Sequence, residues 1–560
     1  MTDKGRRPIS RTLALYLAVI FIGGAFFARL FSLQVVNGDY YRNQARSEQL
    51  KKFEIPATRG QIFMLDGSEV VPVVLNQNQP TLYADPEFVE DPALTAKKLA
   101  KAIGGESSDY LDLLVLDGNY VVLKKKLTAE EVEKIESLEL PGIGMQDATY
   151  RVYPEGGLAS QTIGFVNNDG EGQYGIEQYL NDELAGTPGL LNAVTDIRGI
   201  PLTTSDENAL IDPEHGDDIV LTLDRQIQQY TQTALKKGVK ASEAISGSAI
   251  VMDPNTGRII AMANYPTYEQ EKYNKVPADE ASRFLNRVIT DGYEAGSVVK
   301  PFTMAAALNE GAVTPSTEYY DAGKVKVGDR EIENAGNSGG VDRTMTEVIQ
   351  KSVNTGVVFA LQQLGGGEIN QKARNTLYDY FINRYGLGNV TGVAQSLEAP
   401  GQIFAPDHPE GNDVRYANMT FGQGMTVSMV QLTAAYSSLV NGGTYFKPYL
   451  IDQRVNSTTG EVAKAEPTSL RDNVITEKTS KQIVAMMEKV VELGGGISAK
   501  REGYRIGGKT GTSQVLEADG TYSEFREVGT FIGYGASGDK VDYVIMVRVD
   551  EPKIGGYAGT

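Results

Sequence analysis

The chain has 560 residues, 41% hydrophobic and 22% charged, with a formal net charge of −19 and no cysteine. That length exceeds one ordinary core and implies two or three domains of globular composition. The charge argues against nucleic acid, whose phosphates need a basic face, and against anionic lipid surfaces; the missing cysteine excludes disulfide scaffolds, thiolate metal sites and cysteine nucleophiles.

Lys4, Arg6, Arg7 and Arg11 precede TLALYLAVIFIGGAFFA, which is uncharged from Thr12 to Ala28, and apolar character resumes after Arg29 as far as Val36. This approaches the roughly 20 residues that cross a bilayer. The basic tail is expected to stay inside, which places all that follows outside the cytoplasm. A cleaved signal peptide would have to end near Gly23-Gly24-Ala25, a poor cleavage site inside a continuing apolar run, so an uncleaved single-pass anchor is expected. The chain then divides as a cytoplasmic tail (1–11), a transmembrane anchor (12–36), an irregular module (37–215) and a larger domain (216–560).

The module reads as a helix near Tyr40, an extended arm, a hairpin through QIFMLDGSEV, and short helices at DPALTAKKLAKAIG and LTAEEVEKIESL, the last with Thr128 as N-cap. Gly170-Glu171-Gly172-Gln173-Tyr174-Gly175 matches the dinucleotide fingerprint, with Asp196 where a ribose-binding acid would sit. Nearby carboxylates would crowd a pyrophosphate and no second βαβ half follows, so an ordinary glycine turn is expected. Beyond residue 216, Leu223 to Val239 shows helical spacing, SGSAIVMDPNTGRIIAMANYP reads as a hairpin, 281–441 as mostly helical, and the last stretch as strands. Strands at both ends around helices predict an α+β domain with an antiparallel sheet closed by non-local pairing.

The chemistry lies in three fragments. Ser297-Val298-Val299-Lys300 places a hydroxyl and an amine three residues apart on one helix face. Ser352-Val353-Asn354 and Lys509-Thr510-Gly511-Thr512-Ser513 follow. With only His215 and His408, neither in a motif, a Ser-His-Asp triad has little material. Each fragment alone is weak; their order and spacing together are not.

This set resembles the penicilloyl-serine transferases. NRVITDGYEAGSVVKPFT, VMDPNTGRIIAMANYPTYE, FGQGMTVSMVQLTAAYSSLVNGGTY, PATRGQIFMLDG and IGFVNNDGEGQYGIEQYLNDELAGTPG extend the likeness over nearly the whole chain, to class B penicillin-binding proteins. The resemblance implies a transpeptidase fold, with a five-stranded antiparallel sheet flanked by helices and an all-helical subdomain. An anchor and an elongated α+β pedestal, the dimerisation domain, would precede it. It implies D,D-transpeptidation in which Ser297 attacks the D-Ala-D-Ala bond of a stem peptide, releases D-Ala and passes the acyl group to a side-chain amine on a neighbouring stem. β-Lactams would acylate Ser297; no metal or organic cofactor is implied.

In the implied roles Ser297, at a helix start, is the nucleophile and Lys300 its proton acceptor. Lys509 depresses the pKa of Lys300 by like charge, and Ser352 relays the proton to the leaving amine. Asn354 orients Lys300 and binds substrate amide. The N–H groups of Ser297 and Thr512 form the oxyanion hole, while Lys509 with Thr510 and Thr512, around Gly511, holds the donor's terminal carboxylate. TDGYEAGSVVKPFT and IGFVNNDGEGQYGIEQ lean towards the division-type septal enzymes over the elongation type. The implied partners are a membrane glycosyltransferase of the shape-elongation-division-sporulation family and other division proteins. A serine β-lactamase or D-Ala-D-Ala hydrolase would need a carboxylate to activate water, and local sequence offers none. A non-catalytic β-lactam sensor is argued against by the intact serine, lysines and asparagine.

The chain departs from the family at Ala295, usually proline, and at Val298 and Val299, usually threonine and phenylalanine. Family members also continue past DEPKIGGYAGT with a loop and final helix, so a shortened version of a longer protein is expected, with an edge and one sheet face partly bare.

Overall fold

The structure, a computed structural model, describes residues 10–41, 50–194, 209–516 and 521–554. It divides into two compact units, one of residues 1–59 and 185–216 and another of 60–184 and 217–560.

In the smaller unit Ser10 caps the helix Arg11–Phe31 by accepting the Leu13 N–H at 3.2 Å. The helix runs on as a wider turn over Ser32–Val36. Together these 26 residues contain an 18-residue window of mean hydropathy 2.1, and the helix is long and apolar enough to cross a membrane. Strands Leu50–Ile55, Gly189–Val194 and Ala209–Ile211 form a small antiparallel sheet. His215 Nδ1 accepts the Thr58 N–H at 3.1 Å, a structural use of one of the two histidines. Most of the helix expected near Tyr40, and Asp196, lie outside the described residues.

In the larger unit the hairpin β1 (Ile62–Asp66) and β2 (Glu69–Ala84) forms as its sequence predicts. The helices Pro92–Ile103 and Ala129–Glu136 follow, the latter closed by a Thr128–Glu131 capping box. Of the dinucleotide-like glycines, Gly170 lies in the turn of a hairpin between Phe165–Val166 and Gly172–Gln173, where Asn167 Oδ1 accepts the N–H groups of Asp169 and Glu171, and Gly175 opens a short helix. Strand β3 (Asp218–Asp224) pairs in parallel with β1. Leu223, expected in the next helix, belongs to this strand. Asp224 accepts the Ile227 N–H at 2.9 Å, so helix α1 starts at Arg225 and runs to Ala241.

The hairpin β4 (Ser246–Met252) and β5 (Ile259–Tyr265) opens the principal sheet. The mostly helical stretch includes α2 (Lys300–Asn309), α3 (Asn354–Leu364), α4 (Met429–Val440) and, after it, α5 (Glu477–Leu493). It is interrupted by two strand pairs within 318–344, which the alternation Lys-Val-Lys-Val and the turns at Gly323 and Gly328 encode and a helical reading overlooks. The chain returns with β6 (Arg505–Leu516), β7 (Tyr522–Ala536) and β8 (Tyr543–Asp550). The sheet order is β5-β4-β8-β7-β6, antiparallel throughout, and Ser246 pairs with Asp550 across nearly the whole domain.

Every residue of α4 is buried, so the helix has no solvent face, and the polar side chains of Gln431, Thr433, Ser437 and Ser438 donate to backbone carbonyls. It packs in one large core with α2, α3, α5 and the sheet. On α1, Leu235 and Val239 cluster with Ala249 and Ala263 of the sheet. Leu432 on α4 is fully buried, whereas Tyr230 on α1 is 77% exposed. Leu432→Ala should therefore cost about 2–5 kcal/mol and lower the melting temperature, while Tyr230→Ala should stay within about 0.5 kcal/mol.

Candidate active site

Lys300 N–H bonds to the Ser297 carbonyl, an i→i−3 bond that makes Gly296–Val299 a 3-10 turn ahead of α2. Pro301 lacks the N–H that would have made the α-helical bond to the same carbonyl. The α-helix proper thus starts at Lys300, and Ser297 lies one tight turn ahead of it rather than in its first turn. A 3-10 turn eclipses residues i and i+3, so the expected shared direction of Ser297 and Lys300 is kept.

Strand β6 lies hard against this turn. A Cβ on Gly511 would stand 2.9 Å from the Ala295 carbonyl oxygen and 3.0 Å from Val298 Cγ1. Gly296, at φ +63°, faces Thr512 in the same way, its Cβ 2.7 Å from the Thr512 carbonyl oxygen. These contacts supply the reason for a glycine in the middle of a core strand.

Lys300 is fully buried, and its Nζ donates to the Ser352 carbonyl at 2.5 Å and to Ser352 Oγ at 3.1 Å. Ser352 sits in the left-handed region at φ 59° between two helices, a conformation that costs on the order of 1–3 kcal/mol. Among the described residues no hydrogen bond joins the Ser297 hydroxyl to the Lys300 amine, whose partners are both on Ser352. Burial, and then the charge of Lys509, push the Lys300 amine well below its ordinary value. Lys509 is also fully buried, donates to the Thr510 carbonyl at 2.8 Å, and is lowered by burial to about 7.

Among the described residues no hydrogen bond joins Asn354 to Lys300. Asn354 opens α3, and its Nδ2 donates outwards to the Glu333 carbonyl at 2.8 Å. The orienting groups are those of Ser352, because the left-handed turn aims the carbonyl of that residue at the amine. Asp321 braces the loop from behind, accepting from Asn334 Nδ2, Thr355 Oγ1 and Arg343 Nε at 2.8–2.9 Å.

A cleft of about 490 Å³ opens over these groups, lined by Ser297, Ser352, Asn354, Thr510, Gly511 and Thr512, with Lys300 and Lys509 behind its wall. It also takes in Asn334 and Ser338 from the strand-paired insertion, Gln423, Gln514 and Glu527. None of these five was visible in the sequence. Glu527 in particular reaches the cleft only through strand register, opposite Gln514. Nearby, Glu294 accepts from the Gly424 N–H at 2.8 Å and the Tyr522 hydroxyl at 2.9 Å, and burial raises its pKa.

Two outcomes follow from the packing. Gly511→Ala should destabilise by about 1–3 kcal/mol, seen as a lower melting temperature, because the opposing atoms are mostly backbone. Lys509→Met should raise the melting temperature most below pH of about 7, where the native lysine is a buried cation. Above that value native Lys509 loses its proton while the unfolded chain keeps it, so wild-type stability gains with pH and the difference should shrink towards 10.5.

The model of the penicillin binding protein transpeptidase domain matches residues 247–560, and that of the penicillin-binding protein dimerisation domain matches 54–221. The chain is 31% identical to stage V sporulation protein D of Bacillus subtilis over 529 residues, 94% of this chain and 79% of that one. It is 28% identical to peptidoglycan D,D-transpeptidase FtsI of Escherichia coli, covering 98% of this chain and 89% of the relative. A crystal structure of a peptidoglycan synthetase from Bifidobacterium adolescentis superposes with a TM-score of 0.69 at 26% identity, over 91% of this chain and 94% of that one. With the family's transpeptidase domain spanning more than half its length and the serine–lysine cleft inside that span, the chain belongs to the class B penicillin-binding proteins.

Proposed function

We propose that this protein cross-links peptidoglycan as a D,D-transpeptidase through an acyl-Ser297 intermediate, in septal wall synthesis during division. The observation that carries the reading is a fully buried lysine, held by a neutral carbonyl and hydroxyl and lowered well below its ordinary value, one 3-10 turn from a serine in the cleft. Lys300 takes the Ser297 proton as Oγ attacks the penultimate D-Ala carbonyl. The N–H groups of Ser297 and Thr512 receive the oxyanion. Ser352 Oγ, bonded to Lys300, passes the proton to the departing D-Ala amine. The amine of a second stem then attacks the acyl carbon and frees Ser297. Lys509, with the Thr510 and Thr512 hydroxyls, holds the donor carboxylate, and Asn354, not bonded to Lys300, keeps Oδ1 for a substrate amide N–H.

The helix Arg11–Val36 and the basic residues before it support an anchor with the tail (1–11) in the cytoplasm and the catalytic domain outside. The pedestal (37–215) and the anchor (12–36) are the surfaces proposed for the membrane glycosyltransferase and other division proteins, with 216–560 as the catalytic domain. Likeness to FtsI supports the division role over the elongation role. One observation favours a second reading as a D-Ala-D-Ala hydrolase: Glu527 puts a carboxylate in the cleft.

Fluorescent penicillin should label the wild type and leave Ser297→Ala unlabelled; labelling that survives the substitution refutes the site, and rapid loss of label favours the hydrolase. Acylation should have two pH limits. It should fall as acid protonates Lys300, and it should weaken above about 7 as Lys509 loses the charge that holds the carboxylate. Stopped-flow acylation across pH checks both limbs.

A further inference from the structure

Two buried lysines lie behind the cleft and Lys351 is in its lining, yet that lining carries one carboxylate among the described residues, Glu527. Residue 527 lies on β7, between β6 and β8. It pairs with Gln514 on one side, and its carbonyl accepts the Glu551 N–H at 2.8 Å on the other. The backbone is therefore fixed on both edges, as a rigid binding position requires. Residues directly opposite in an antiparallel pair share a face, so Glu527 joins Thr510, Thr512 and Gln514 on the cleft side of the sheet. Arg526, its neighbour in sequence, pairs with Glu551 instead.

Residue 514 lies two positions along β6 from Thr512, about 7 Å further down the strand. That sets Glu527 further along the sheet than Thr512, on the path of a peptide laid along β6. Its carboxylate is exposed and makes no ion pair among the described residues. Gln514 turns its Nε2 to the Ser523 carbonyl at 3.1 Å, and no ion pair to Glu527 occupies this corner among the described residues. A corner of this kind suits a primary ammonium.

We propose that Glu527, beside Gln514, forms a subsite for the side-chain ammonium of a stem peptide. This rests on the transpeptidase reading and deepens it. The same ammonium could belong to the donor stem along β6 or to the acceptor stem approaching the acyl-enzyme.

The test compares wild type, Glu527→Gln and Glu527→Lys, each first shown by melting temperature to be folded. One arm measures KM for a D-Ala-D-Ala donor peptide with a lysine side chain against the same peptide acetylated on that amine. The other measures how the acyl-enzyme partitions to a cationic alkylamine acceptor against hydroxylamine, which is uncharged at neutral pH. The wild-type preference for the charged member of one pair should fall about 3- to 5-fold in Glu527→Gln, fall further in Glu527→Lys, and weaken with added salt. A change in the donor pair alone assigns the subsite to the donor, and one in the acceptor pair alone assigns it to the acceptor. Ratios unchanged in both pairs, or charged and uncharged members losing equally, overturn the proposal. Penicillin labelling of wild-type Ser297 is scored separately, so loss of the transpeptidase reading is not mistaken for loss of the subsite.

Discussion

Two lysine amines are buried behind one serine, and the rest of the domain is arranged around that cost. An isolated ammonium in a protein interior is strongly disfavoured. Among the described residues Lys300 has no carboxylate to offset its charge, only a carbonyl and a hydroxyl from one strained residue. The cost is met chemically, by lowering the pKa until the amine can be neutral, and structurally, by a large core that keeps water out. The wholly buried helix α4, packed with α2, α3 and α5 under the sheet, supplies that core.

The same constraint explains the close backbone packing beside Ser297. Holding β6 against the turn brings Thr512 next to the serine and lets Lys509 add its charge to the burial that lowers Lys300. Glycine at 511 is what permits the approach. The strand that carries these residues is secured by β7 and β8, and β8 closes on β4 from the other end of the domain. Site geometry and fold closure are thus one set of contacts, and pairing between such distant segments forms late and slowly in folding.

Legibility followed the range of the interactions. Ser297 and Lys300 could be read because their relation is three residues of one turn, and Pro301 changed its helical type without breaking it. The hairpin at 246–265 and the cap at Thr128 were equally local. Three features needed coordinates. The left-handed Ser352 backbone is not signalled by its residue type, so the sequence points to Asn354 beside Lys300, while the bonds to the amine come from Ser352 and the Asn354 side chain donates to Glu333. The strand pairs within 318–344 were masked by surrounding helices. Glu527 enters the cleft through register with Gln514, which no local pattern encodes.

The distribution of charge in the cleft then has a single logic. A carboxylate touching Lys300 would hold its proton and end its use as a base, so the groups at that amine are neutral. A cleft with no carboxylate at all would repel the ammonium that a cross-linking reaction must bring in. Placing Glu527 on β7, across from a residue two positions past Thr512, separates these demands by about 7 Å along the strand. The long, rigid sheet is what allows opposite charges to serve one cleft without neutralising each other.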